Sequence, residues 1–198
     1  MVRKHSWILM MAIILPFALL VGCGEYGKVD QGRVVKFDKD KRLATVIRDA
    51  KADPANPDYN HLPPAVYELP TDPNETGAEP KVGLRMKLDT KNHQIVLFDP
   101  ATQEFKTLSY TLIDQKEKVA KSDPLVVDKK FPAVDRDKKT ITIYSGRQAI
   151  LTTFSLPDEY FSLPDSTWDA GDEVRVYYKQ EGKALRFMNI SKTDIYKK

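Results

Sequence analysis

The sequence predicts an all-β fold, and three observations carry that prediction. Apolar and polar residues alternate over short runs, as where Leu84, Met86 and Leu88 are separated by Arg85 and Lys87, the two-residue period of a half-buried strand. The runs are rich in Val, Ile, Thr, Tyr and Phe and are bounded by Asp, Asn, Gly and Pro, the composition of strands and their turns. No segment of about twelve residues carries the 3.6-residue stripe of an amphipathic helix.

The first segment is a leader rather than a fold element. Arg3 and Lys4 precede an apolar run from Trp7 to Val21, a positive region and a hydrophobic region ahead of a small residue, which together mark a secretory signal over residues 1–22. The run contains Pro16 and falls short of the about 20 residues that a spanning helix needs. Leu20-Val21-Gly22-Cys23 resembles the lipobox of bacterial lipoproteins, which implies that Cys23, the single cysteine of the chain, is lipidated and becomes the first mature residue. A lone thiol forms no intramolecular disulfide, and acyl chains at about 0.8 kcal/mol per buried methylene hold a protein on a bilayer. Gly24 stands where aspartate favours inner-membrane retention in bacteria that sort by that rule, which points to the outer rather than the inner membrane.

Residues 23–32 read as a lipid-anchored tether of roughly 30 Å when fully extended. Residues 33–115 read as a first β module. Arg33 to Phe37 and Leu43 to Ile47 form a hairpin around Asp38-Lys39-Asp40-Lys41, and Ala65 to Leu69 follows. Residues 50–81 hold seven prolines, among them Pro63, Pro64 and Pro70, and read as a loop in which a long regular strand is not expected. Leu84 to Leu88 and Ile95 to Phe98 make a second hairpin, with a turn at Asp89 to Asn92, and Phe105 to Ile113 reads as one longer strand. Residues 116–130 are charged, broken by Asp123-Pro124, and read as a linker. Residues 131–198 read as a second β module with strands at Thr140 to Tyr144, Ala149 to Leu156, Val174 to Tyr178 and Leu185 to Ile190, and a short helical turn at Pro157 to Tyr160.

The halves echo each other. Phe37-Asp38-Lys39-Asp40-Lys41 matches Val134-Asp135-Arg136-Asp137-Lys138, Tyr67-Glu68-Leu69-Pro70 matches Phe154-Ser155-Leu156-Pro157, and Lys81-Val82-Gly83 matches Asp169-Ala170-Gly171. Two tandem, five-stranded, barrel-like modules are therefore expected, since short strands that curl hide their edges. They resemble small OB-like or SH3-like barrels of the bacterial periplasm. One β-sandwich of about ten strands is the alternative.

Composition narrows the function. The 31 basic and 28 acidic residues, with Arg3 and Lys4 in the leader, leave a near-neutral mature chain, which argues against nucleic acid as a partner. Serine-hydrolase, zinc-protease and phosphate-loop motifs are not found, and His61 and His93 are the only histidines after the leader, so the expectation is no enzyme and no cofactor. Copper-binding OB-like barrels use methionine, histidine and a capping tryptophan, and by that resemblance Met86, His93, Trp168 and Met188 are the metal candidates. The expected register weighs against them: with the turn at 89–92, Leu88 faces His93 and Met86 faces Ile95, so Met86 lies among core residues. The acidic, aromatic stretch from Leu156 to Glu173 reads as a plug for one end of a module or as a partner-binding surface centred on Tyr160, Phe161 and Trp168.

Gly24-Glu25-Tyr26-Gly27-Lys28-Val29-Asp30, Lys87-Leu88-Asp89-Thr90-Lys91-Asn92, Ser162 through Glu173 and Arg186-Phe187-Met188-Asn189-Ile190-Ser191 resemble a family of uncharacterised lipoproteins from sulfate-reducing bacteria, catalogued as a domain of unknown function. The resemblance spans nearly the whole mature chain and implies a Gram-negative, anaerobic setting, with no catalytic residues to carry over. The function expected is that of a non-catalytic lipoprotein, anchored to the membrane and facing the periplasm, that binds or scaffolds another envelope protein. The alternative is copper binding.

Overall fold

A computed structural model describes residues 26–51 and 57–193; the leader and Cys23 lie outside them. The fold is all-β, with antiparallel strands in three sheets, none of them closed into a barrel. The first sheet has the order β12 (Ala184–Asn189), β11 (Glu173–Tyr178), β1 (Lys28–Asp38), β2 (Leu43–Arg48), β3 (His61–Glu68). The second has the order β4 (Arg85–Asp89), β5 (Gln94–Asp99), β6 (Glu104–Ser109). The third runs β7 (Thr111–Lys116), β10 (Ile150–Ser155), β9 (Thr140–Ser145), β8 (Ala133–Asp135).

Alternation of side chains stacks these sheets. In β1, Val34 turns to one face and joins Val46, Tyr67, Val176 and Phe187, while Val35 turns to the other and meets Ile47, Met86 and Phe98. In β5, Phe98 faces that same middle cluster, whereas Ile95 and Leu97 face Ile141, Ile143, Phe154 and Trp168 of the third sheet's side. The second sheet is thus covered on both faces. Each fully buried Val, Ile or Phe contributes about 1.5–3 kcal/mol.

The pairing crosses the boundary expected from sequence. β1 pairs with β11 from Lys28↔Tyr178 to Arg33↔Glu173, so the five-stranded sheet takes strands from both expected modules. Residues 116–130 connect β7 to β8 within one sheet. The alternation that announces a strand says nothing of its partner.

Three local expectations are corrected. The segment 28–32, expected as tether, is the start of β1, because its polar residues find partners on the sheet. Asp30 accepts hydrogen bonds from Tyr67 Oη and, at 3.1 Å, from Tyr178 Oη, and Gln31 Nε2 donates to Glu173 Oε1 at 2.6 Å. Burial, and then Asp30, raise the Tyr67 hydroxyl pKa well above its ordinary value. Second, β3 runs through the proline-rich region and includes Pro63 and Pro64. It is an edge strand, where a missing N–H costs no ladder bond. Third, the long strand 105–113 is split at Tyr110, whose ring stacks on Phe154 at 4.4 Å, so β6 pairs with β5 and β7 with β10.

The hairpin turns share one device. Asp38, Asp89 and Asp135 each accept the backbone N–H three residues on, from Lys41, Asn92 and Lys138 at 3.0, 3.0 and 2.9 Å. The fifth residue of each turn, Arg42, His93 and Lys139, has φ of 55°, 52° and 53°. At Asp89 the Asn92 N–H lowers the carboxyl pKa to about 2, and at Asp135 the Lys138 N–H lowers it as well. A carboxylate held below its unfolded pKa of about 3.9 stabilises the fold above that value and loses the contribution as pH falls through the folded pKa. The melting temperature is therefore expected to hold from pH 7 to about 5 and to fall between about 4 and 2. Asp89→Asn reduces that fall, as pH-dependent calorimetry will show.

Candidate functional site

A cleft of ≈ 430 Å³ lies between the second sheet and the segment that follows β10. One wall is Leu97 of β5 with Lys106 and Leu108 of β6; the other is Tyr160, Leu163 and Ser166, with Leu84 beneath. The register explains the first wall. Leu97 pairs with Lys106 and Ile95 with Leu108, which puts all four side chains on one face.

The second wall is built by a short repeat, Leu156-Pro157-Asp158 and Leu163-Pro164-Asp165. Each proline caps a 3-10 turn, Asp158–Ser162 and Asp165–Trp168, and its carbonyl accepts the N–H three residues on, Tyr160 at 3.1 Å and Thr167 at 2.9 Å. Proline fixes φ where no N–H is needed. The sequence reading anticipates the first turn at Pro157 to Tyr160 and misses the second. Arg136 of the β8–β9 turn braces the wall, donating to the carbonyls of Phe161 and Leu163 at 3.2 and 3.3 Å and to Asp165 Oδ1 at 2.7 Å. From the other side, Leu84 N–H donates to Ser166 O at 3.3 Å and Arg85 Nε to Trp168 O at 3.0 Å. Burial, with Arg33 nearby, lowers the Arg85 guanidinium pKa to about 10.

The cleft mouth is acidic. Asp99 and Lys106 pair at 2.5 Å; the ammonium, then the Ala101 N–H, lower the Asp99 carboxyl pKa, and Asp99 raises that of Lys106. Glu159 lines the wall and Glu104 pairs with Asp99 across the hairpin.

Of the aromatic residues expected at a partner-binding surface, only Tyr160 lines the cleft. Phe161 and Trp168 are 4% and 0% exposed and belong to the core between the second and third sheets. The four metal candidates lie apart. Met86 is in the middle core cluster, Trp168 in the cluster beyond it, and Met188 is on β12 opposite Arg175. His93 is exposed in the β4–β5 turn, 5.6 Å from the Tyr110 ring. The expected register is also corrected: Asp89 pairs with Gln94 and Leu88 with Ile95, with a bulge between Arg85 and Lys87, because the turn spans residues 90–93 with Asp89 capping it. The cleft was missed because its walls are far apart in sequence and meet only through the sheet.

One family, described as a domain of unknown function (DUF4881), matches residues 25–198. The chain belongs to the DUF4881 family. The matched DUF4881 region includes all three sheets and both walls of the cleft. No curated protein and no solved structure is significantly similar to the chain.

Proposed function

We propose that this DUF4881 chain is a lipid-anchored protein of the bacterial envelope, facing the periplasm and without catalytic activity, that binds another envelope component through the cleft beside β6. The observation that carries the binding role is the cleft itself, ≈ 430 Å³ with Leu84, Leu97, Leu108, Tyr160 and Leu163 in its lining, within the range of ordinary ligand sites. A non-catalytic role is supported by its polar rim, where Asp99 and Lys106 neutralise each other rather than stand as a free acid and base. The anchor is supported by the leader and by Leu20-Val21-Gly22-Cys23, and the setting in a sulfate-reducing, Gram-negative cell by the sequence resemblance. An OB-like layout of the first sheet is supported by its order, in which β1, β2 and β3 follow one another and the isolated parallel bridge Glu68↔Lys183 ties the end of β3 to the residue before β12.

The anchor and the cleft are tested separately. Cells fed labelled palmitate incorporate it into the wild type and not into Cys23→Ala, and the variant leaves the membrane fraction; label retained on the variant overturns the anchor. A photo-crosslinking residue at Tyr160 forms an adduct in intact cells that the same residue at Leu185, exposed on β12, does not, and Leu163→Glu abolishes it. Equal adducts from both positions, or none from Tyr160, overturn the binding role.

A further inference from the structure

The outer edge of β6 runs along the cleft with its backbone unpaired. The Tyr110 N–H donates to His93 O at 2.9 Å and the Phe98 N–H to Leu84 O at 2.8 Å. In an antiparallel ladder the bonded residues alternate, so Glu104, Lys106 and Leu108 turn their backbone toward β5. Phe105, Thr107 and Ser109 turn theirs outward. Among the described residues no backbone or side-chain partner reaches those outward groups. The edge carries no proline and no bulge in its pairing with β5, two devices that commonly blunt such an edge.

The edge is open because the neighbouring strand stops. β10 pairs with β7 up to Ser155↔Thr111, and Pro157 then starts the 3-10 segment that forms the opposite wall. Unpaired ladder groups thus border an apolar trough. Charge sets the rest: Asp99 and Lys106 cancel, while Glu104 and Glu159 have no ion-pair partner among the described residues.

We infer that the β6 edge and the cleft dock an extended peptide segment of a partner protein, in which a Lys or Arg stands two residues from an apolar residue, so that both turn to the face of the cleft. The segment adds to the second sheet as a strand, exchanging hydrogen bonds with Phe105, Thr107 and Ser109. Its apolar side chain enters between Leu108 and Leu163, and its cation meets Glu159 or Glu104. Main-chain bonds supply affinity in such strand addition, and the side-chain pocket supplies selectivity. This inference rests on the binding role proposed for the cleft and names the occupant.

The test uses the full chain in lipid nanodiscs and two fluorescent nonapeptides, one with Leu and Lys in turn at its odd positions and Thr at its even ones, and one with Glu at every Lys position. Anisotropy is expected to show the Lys peptide binding roughly tenfold more tightly or better, with Glu159→Lys reversing the order. N-methylation of alternate peptide nitrogens abolishes binding in the frame that faces β6. Thr107→Pro, which removes one outward N–H from an edge position, lowers affinity at unchanged melting temperature. Equal binding of the two peptides overturns the charge assignment and the proposal with it, and undiminished binding of both N-methylated frames overturns strand addition. If neither peptide binds while the Tyr160 crosslinker still captures a component in cells, this proposal alone fails. If the crosslinker is silent too, the binding role fails as well.

Discussion

Trp168→Ala is expected to lower the unfolding free energy by roughly 3–5 kcal/mol. The side chain is fully buried and packs with Leu88, Ile95, Ile141, Phe154 and Phe161 where the second and third sheets meet. Its removal forfeits the transfer energy of the indole and leaves a cavity between two sheets that cannot collapse independently. A typical domain has about 5–15 kcal/mol in total, so urea unfolding of the variant shifts most of the way to an unstable chain. Trp168→Phe separates ring volume from polarity. Trp168 Nε1 is buried without a hydrogen-bond partner, so its loss breaks no bond, and the cost is expected to be less than half that of alanine. The effect reaches the site: Trp168 ends the segment whose Ser166 and Thr167 line the cleft, so crosslinking from Tyr160 falls in the alanine variant. A cost under about 1 kcal/mol for Trp168→Ala would show that the wall stands without this anchor.

The strands were legible because each side chain's face is set by a local period. Leu84 to Leu88, Ile95 to Phe98 and Thr140 to Tyr144 appear close to where alternation puts them, at β4, β5 and β9. The hairpin turns were legible for a similar reason, since an Asp that accepts a nearby N–H is a local event. What stays hidden is nonlocal. Lys28 to Gly32 is polar and reads as a tether, yet Asp30 is held by Tyr67 and Tyr178 from two other strands. Tyr110 looks like any strand aromatic, and only its stacking on Phe154 shows why the strand divides there. The echo between the halves is partly turn chemistry, because Asp89 and Asn92 build the same bond as Asp38 and Lys41. Its glycine element is different. Lys81-Val82-Gly83 and Asp169-Ala170-Gly171 are in contact: the Lys81 carbonyl accepts the Asp172 N–H at 2.8 Å, and the Arg85 N–H donates to the Asp169 carbonyl at 2.8 Å.

That contact gives the second large expected effect. Gly83→Ala and Gly171→Ala are each expected to cost more than about 3 kcal/mol, seen as loss of the cooperative urea transition or of soluble protein. A Cβ on Gly83 would lie 2.1 Å from the Gly171 nitrogen and 2.4 Å from the Asp169 carbonyl oxygen. On Gly171 it would lie 2.5 Å from the Val34 carbonyl oxygen, at a φ of +67° that L side chains avoid. The obstructing atoms are backbone, and they carry the bonds that join β1 to both segments: Gly83 N–H to Val34 O at 3.2 Å and Val34 N–H to Asp172 O at 3.0 Å. Relief by movement therefore breaks hydrogen bonds in the central strand of the first sheet. Two other glycines calibrate the claim. Gly182 has a φ of +77° but its nearest neighbour would stand at 3.5 Å, so Gly182→Ala isolates the backbone term at about 1–2 kcal/mol. Gly146 would meet the flexible end of Lys121 at 3.3 Å and the Tyr144 ring at an ordinary contact distance of 3.6 Å, and Gly146→Ala is expected to be neutral within about 0.5 kcal/mol. Because Gly83 and Gly171 obstruct the same space, the two costs do not add: once one alanine has forced the segments apart, the second meets less resistance. A double variant as costly as the sum of the singles would place the two glycines in independent surroundings, and the segments that echo each other in sequence would not share one joint.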